Sequence, residues 1–134
     1  MTDILLATDA DWVAEEVAGA LGDADTTLRL VRAGQDVRPA VERQVPDLVV
    51  LDLQIGNMGG MAAALDLHLE ADAGRLPRVP ILMLLDRSAD VYLAQQSAAD
   101  SWLIKPLDAL RLRRAAHAVL DGGAVQEGVT ATTP

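Results

Sequence analysis

The stretch Pro46-Asp47-Leu48-Val49-Val50-Leu51-Asp52-Leu53 decides the fold. Leu48 to Leu51 is continuously apolar, follows a Pro-Asp turn signal and runs directly into a carboxylate, as a central strand covered on both faces does. A second run of this kind, Ile81-Leu82-Met83-Leu84-Leu85, follows the turn bracketed by Pro77 and Pro80. Three shorter segments flank the pair. Ile4-Leu5-Leu6-Ala7 ends at Thr8-Asp9, Thr27-Leu28-Arg29-Leu30-Val31 alternates like a half-exposed edge strand, and Ser101-Trp102-Leu103-Ile104 ends at Lys105-Pro106.

The segments between the strands carry helical spacing. Val13, Val17, Ala20 and Leu21 define the first helix, with Asp11 placed to cap it. A weaker helix is expected over about residues 36 to 44, then one with Met61, Leu65 and Leu69 on its buried stripe. Asp86 or Ser88 is positioned to cap a helix holding Val91, Tyr92 and Ala94. Asp108 caps a last helix through Leu112, Ala116, Val119 and Leu120, which Asp121-Gly122-Gly123 stops. Five strand-helix units in alternation imply an α/β, doubly wound five-stranded parallel sheet with right-handed crossovers and helices on both faces. One domain is expected over residues 1–121, with residues 122–134, rich in Gly, Thr and Ala, as a flexible tail.

Composition narrows the function. The chain has 134 residues and a formal charge of −9, which disfavours binding to a phosphate backbone, so no direct nucleic-acid partner is expected. No apolar stretch approaches the roughly 18 residues of a membrane span, and no secretion signal is evident, so a soluble cytoplasmic protein is the expectation. Absence of cysteine excludes disulfides, zinc-thiolate sites and thiol catalysis. Of 11 basic residues, Lys105 is the single lysine, so a chance lysine at a strand end is improbable.

Ligands of such sheets bind beyond the carboxyl ends of the strands, where strand order reverses. That edge receives Asp9, Asp52, Leu85-Asp86 and Lys105. Two carboxylates and an ammonium suit Mg²⁺ and a phosphoryl group bridging metal and ammonium. The chemistry allows Asp52 to act as a nucleophile toward a phosphodonor, with Asp9 on the metal and Lys105 on phosphoryl oxygens.

Ile4 to Asp9, Pro46 to Leu53, Val79 to Leu84 and Trp102 to Pro106 resemble, in order and spacing, the four blocks of response-regulator receiver domains, over about residues 3 to 120. The resemblance implies strand order 2-1-3-4-5, phosphorylation of Asp52 by a histidine kinase, and a cis Lys105-Pro106 bond. It also implies Mg²⁺ held by Asp9, Asp52 and the backbone carbonyl of Gln54. A downstream protein partner is implied because no output domain follows residue 120, and a homodimer is compatible.

The departures from that family fall in one pocket. Thr8 replaces the first of two adjacent acids, which predicts weakened Mg²⁺ affinity. Leu85 stands at the position of the hydroxyl residue that donates to a phosphoryl oxygen and moves on phosphorylation. Gly56 and Gly59 replace a more constrained loop and predict mobility. The stretch from Leu85 to Lys105 is about two residues shorter than usual. Ser88 could approach the phosphoryl site only in a different register. Trp102 occupies the family's aromatic switch position on the last strand and can equally be a packing residue.

Other polar residues have simpler readings. Asp11 is read as a cap before a metal ligand. His68 borders an apolar stripe, His117 lacks a carboxylate partner at metal spacing, and neither is assigned a role. Arg111, Arg113 and Arg114 form either a solvated helix face or a surface for an acidic partner or a second copy. Three functions follow: a stand-alone phosphorelay receiver using Asp52, a phosphorylation-independent binding module of the same fold, and an aspartyl-phosphate phosphatase. The last is disfavoured because Gln54 stands where such phosphatases place a second acid.

Overall fold

The computed structural model describes residues 1–128. Five strands, β1 (Thr2–Ala7), β2 (Thr26–Val31), β3 (Leu48–Asp52), β4 (Ile81–Leu85) and β5 (Ser101–Ile104), form one sheet in the order β2-β1-β3-β4-β5. Every neighbouring pair is parallel. The helices are α1 (Asp11–Leu21), α2 (Val37–Arg43), α3 (Gly60–Asp72), α4 (Val91–Gln96) and α5 (Ala109–Leu120), with 3₁₀ turns at Gly34–Asp36 and Ser88–Asp90. The strand order expected from the resemblance and the doubly wound architecture are both present.

The period of two along each strand divides the core between the two faces. Leu5, Ala7, Val49, Leu51, Ile81, Met83 and Leu85 pack with residues of α2, α3 and α4. Ile4, Leu6, Leu48, Val50, Leu82, Leu84 and Leu103 pack with α1 and α5. Each fully buried Leu or Ile contributes roughly 1.5–3 kcal/mol of burial free energy, so the two continuous runs anchor both layers at once. Strand β2 is only partly buried, in keeping with an edge.

The face of α3 is not the one its large residues indicated. Leu65 and Leu69 are 37% and 65% exposed, while Gly60, Ala63, Ala64 and Leu67 face the sheet. Small side chains let this helix sit close to the strands. A Cβ at Gly60 would lie 2.7 Å from the Asp52 carbonyl oxygen, so glycine is required where α3 starts against the end of β3.

Two capping expectations also change. Asp11 is the first residue of α1, makes no cap hydrogen bond and instead pairs with Arg32 at 2.8 Å. The turn before α4 is organised by buried Asp90, whose carboxylate accepts from the Arg87 backbone N–H at 3.1 Å and its guanidinium at 2.9 Å. Asp86 and Ser88 make no such cap. Asp108 does cap α5, accepting from the Arg111 backbone N–H at 2.9 Å.

The tail departs from expectation in its described part. Gly122 and Gly123 close the end of α5, and residues 125–127 then pair with β5, where Trp102 N–H donates to the Val125 carbonyl at 2.9 Å and the Trp102 carbonyl accepts from Glu127 N–H at 3.3 Å. Residues 129–134 of the expected flexible segment lie outside the described residues.

Candidate functional site

Parallel pairing in this order brings the carboxyl ends of β1, β3, β4 and β5 to one edge, and with them Thr8, Asp9, Asp52, Asp86 and Lys105. Asp52 is the last residue of β3 and is 1% exposed. Burying a carboxylate is costly unless its lone pairs are filled, and here both oxygens are engaged. Oδ1 accepts from Lys105 Nζ at 2.8 Å and from the Gln54 backbone N–H at 3.1 Å. Oδ2 accepts from the Thr8 hydroxyl at 2.7 Å. Thr8 is fully buried, and its Oγ1 also accepts from the Ala10 N–H at 3.2 Å, tying the start of α1 to the same network.

Lys105 serves two acids. Its ammonium lies 2.8 Å from Asp52 Oδ1 and 2.6 Å from Asp86 Oδ1, and it stands 5.5 Å from the centre of the Trp12 ring, within cation–π range. The Lys105-Pro106 bond is cis, as the resemblance implied. Burial alone depresses an ammonium pKa, but the hydrogen bonds and charges of Asp52 and Asp86 outweigh it and hold Lys105 above its ordinary value of 10.5. Because the folded value is raised, the stabilisation is complete below the unfolded pKa and is lost as pH rises through the folded one. Asp86→Asn is therefore expected to lower stability modestly at neutral pH, where the pairing is complete, and to make no difference once pH exceeds the folded Lys105 value, so that the two curves converge on the alkaline side. Urea midpoints across an alkaline series check this; coincident curves for wild type and variant contradict it.

Asp9 is exposed at the end of β1 and faces the loop after β3, where its Oδ2 accepts from the Gly56 N–H at 2.9 Å. That loop carries more ties than its glycines indicated. The Gly56 and Asn57 carbonyls accept from the Gly34 and Gln35 N–H groups at 2.9 and 2.8 Å. A Cβ at Gly34 would fall 1.5 Å from the Met58 carbonyl oxygen, so only glycine permits this approach. Asn57 and Met58 adopt positive φ values of 53° and 76°, a backbone geometry uncommon for non-glycine residues and found at constrained sites.

The remaining expected residues have clear places. Leu85 is fully buried and offers the site only its backbone carbonyl, which accepts from the Lys105 N–H at 2.8 Å. Trp102 is 2% exposed, belongs to the α2–α4 layer, and its indole N–H donates to the Glu127 carbonyl at 2.8 Å. His68 bonds to the Ala98 carbonyl and to Arg78, and a ligand role is not indicated. Sequence reasoning missed the Thr8 donation, the Asp86 pairing and the Trp12 contact. Asp86 stood visibly beside a strand end, but its suitability as a cap concealed its other partner.

The donor set fits Mg²⁺ poorly as it stands. The candidates are Asp9, Asp52 and the Gln54 carbonyl, yet Asp9 is held by Gly56, and the Asp52 oxygen facing Thr8 is occupied by a hydroxyl donor. Among the described residues no group of three or more His, Cys, Asp or Glu side chains is arranged to hold a metal ion.

Comparison with known proteins agrees with the architecture. The family model of the response regulator receiver domain matches residues 4–117. The regulatory protein LuxO of Vibrio cholerae is 36% identical over 91 residues, covering 66% of this chain and 19% of that protein. The DNA-binding response regulator MtrA of Mycolicibacterium smegmatis is 33% identical over 105 residues, covering 77% of this chain and 43% of that protein. The chain thus spans less than half the length of these two relatives. The signal receiver domain of a histidine kinase from Syntrophus aciditrophicus has the same fold, with TM-score 0.81, 24% identity, and coverage of 100% of this chain and 98% of that one. Receivers generally bind Mg²⁺ at an acidic pocket, interact with histidine kinases and downstream effectors, and are generally not enzymes acting on external substrates. No helix among the described residues is long and apolar enough to cross a membrane. With four sequence blocks converging on one strand edge of a β2-β1-β3-β4-β5 sheet and the family model matched over residues 4–117, this chain belongs to the response regulator receiver domain family of two-component signalling.

Proposed function

We propose that this receiver acts through protein contacts with a pocket held closed by its own residues, without Mg²⁺-dependent phosphorylation of Asp52. The observation that carries this reading is the engagement of both oxygens of buried Asp52, by Thr8 on one side and by Lys105 and Gln54 on the other. A carboxylate whose two oxygens already accept three hydrogen bonds is a weakened nucleophile toward a phosphodonor. Nothing at Thr8 replaces the missing metal-ligating acid, and Leu85 cannot donate to a transferred phosphoryl group. Asp86 strengthens the reading, because its carboxylate competes for the lysine donors that a phosphoryl oxygen would use.

A phosphorelay role through Asp52 keeps one supporting observation. Lys105 stands against Asp52 at the end of β3, in the charge arrangement that phosphoryl transfer uses. The two readings separate in one measurement. Incubation with acetyl phosphate and millimolar Mg²⁺ is expected to leave the intact mass unchanged and the Trp12 fluorescence unmoved. An Asp52-dependent mass gain of one phosphoryl group, abolished by Asp52→Asn, overturns the closed-pocket reading and establishes the phosphorelay one. A downstream protein partner and a cytoplasmic setting follow from either reading by family likeness, and a histidine kinase contact from the phosphorelay one.

A further inference from the structure

Strand β5 is the open edge of the sheet, since β4 covers its other side. An uncovered edge presents backbone N–H and C=O groups that any extended chain can pair with. Here those groups are filled from within the molecule. Trp102 N–H and C=O pair with Val125 and Glu127, and the segment runs parallel to β5 through a Trp102–Gln126 bridge. Ile104 N–H donates to the Glu127 side chain at 2.8 Å, and the Ile104 carbonyl accepts from Arg111 Nη2 at 2.7 Å.

Side chains make the fit specific. Glu127 is clasped by Arg111, with Nε donating to Oε2 at 2.8 Å and Nη2 to Oε1. The Ser101 hydroxyl accepts from Val125 N–H at 2.8 Å, and the Trp102 indole donates to the Glu127 carbonyl at 2.8 Å. Gly128, at φ 77°, packs where a Cβ would lie 3.1 Å from Ile104 and Val91 side-chain atoms. Segment 123–128 is thus bound as a short peptide is bound by strand addition, with main-chain pairing for affinity and a glutamate for specificity.

We propose that the β5 edge and Arg111 form a docking groove for an extended acidic peptide of a partner protein, with its glutamate in the Glu127 position, and that segment 123–128 is the built-in competitor masking this groove. The occupant is argued from the one already seated and from charge. A bidentate guanidinium selects a carboxylate, whereas a second copy's β5 edge would bring Arg111 against Arg111. Masking follows from the tether. A segment joined to α5 through Asp121 and Gly122 acts at an effective concentration of roughly millimolar, so a free peptide competes poorly until the strap lifts. The inference does not depend on the charge state of Asp52.

The test titrates the full chain with a synthetic peptide of residues 121–128 while following indole N–H signals by NMR. Trp12 and Trp102 supply the only two, so the Trp102 signal reports the groove directly. In Glu127→Ala the peptide is expected to bind at least about tenfold more tightly than in wild type, consistent with loss of the clasp's competition. Replacing the peptide's glutamate by glutamine, or adding Arg111→Ala to the chain, is expected to abolish that gain. Equal affinity in wild type and Glu127→Ala, or indifference to the peptide's carboxylate, overturns the proposal. Concentration-dependent dimerisation of Glu127→Ala without a peptide response also overturns it, in favour of a swapped second copy. Should Glu127→Ala not fold, Glu127→Gln removes the charge at constant shape and is held to the same outcomes.

Discussion

Lys105→Met is expected to lower the free energy of unfolding by about 3–5 kcal/mol, the range for removing one partner of a buried ion pair. The Lys105 and Asp52 side chains are only 11% and 2% exposed, so water does not replace the lost ammonium. Methionine restores the volume but no donor, leaving Asp52 Oδ1 with the Gln54 N–H alone. The Asp86 contribution to the loss is small, because its carboxylate is 37% exposed and solvent screens such a pair. Adding Asp52→Asn to Lys105→Met is expected to recover part of the loss by removing the stranded charge. Urea unfolding followed by circular dichroism measures both variants. A cost below about 1 kcal/mol for Lys105→Met, typical of exposed pairs, would contradict a closed pocket.

Thr8→Asp is expected to create a Mg²⁺ dependence of stability greater than that of wild type. The Thr8 hydroxyl is 2.7 Å from Asp52 Oδ2, so the introduced carboxylate adjoins a buried one. Two such charges at about 4 Å repel by up to ~4 kcal/mol at an effective dielectric of about 20, and the metal-free variant is less stable than wild type. Mg²⁺ reverses this, because a ligand at 100 times its Kd stabilises the folded state by about 2.7 kcal/mol. The apparent Mg²⁺ affinity is expected to rise at least roughly tenfold over wild type, on the same electrostatic grounds. Thermal midpoints against Mg²⁺ concentration provide the reading, with Thr8→Asn as the control that adds no charge. Equal Mg²⁺ stabilisation of wild type and Thr8→Asp would show that the missing acid was not what limited the site.

These expectations depend on features of unequal legibility. The strands were readable because Leu48 to Leu51 and Ile81 to Leu85 are local patterns, and a run apolar on both faces has few places to go except the middle of a sheet. The approach of Lys105 to Asp52 was readable too, since parallel strands deliver their carboxyl ends to one edge. The buried face of α3 was not. Leu65 and Leu69 look like core residues in isolation, and only close packing against β3 makes Ala63 and Ala64 the better fit. Asp11 and Asp86 misled for a related reason: each satisfies a local capping rule, while Arg32 and Lys105, distant in sequence, supply their partners.

By itself the sequence determined the alternation of strands and helices, the doubly wound sheet and the identity of the charged groups at its edge. Hydrophobic period and residue type are properties of short segments, and the family resemblance supplied the strand order. Only the tertiary structure decided that Thr8 donates to Asp52, that Lys105 is shared with Asp86, and that Glu127 closes the β5 edge through Arg111. Those contacts join side chains from separate elements, and each is selected by which carboxylate and which donor the packed sheet brings within about 3 Å of one another, the reach of a hydrogen bond.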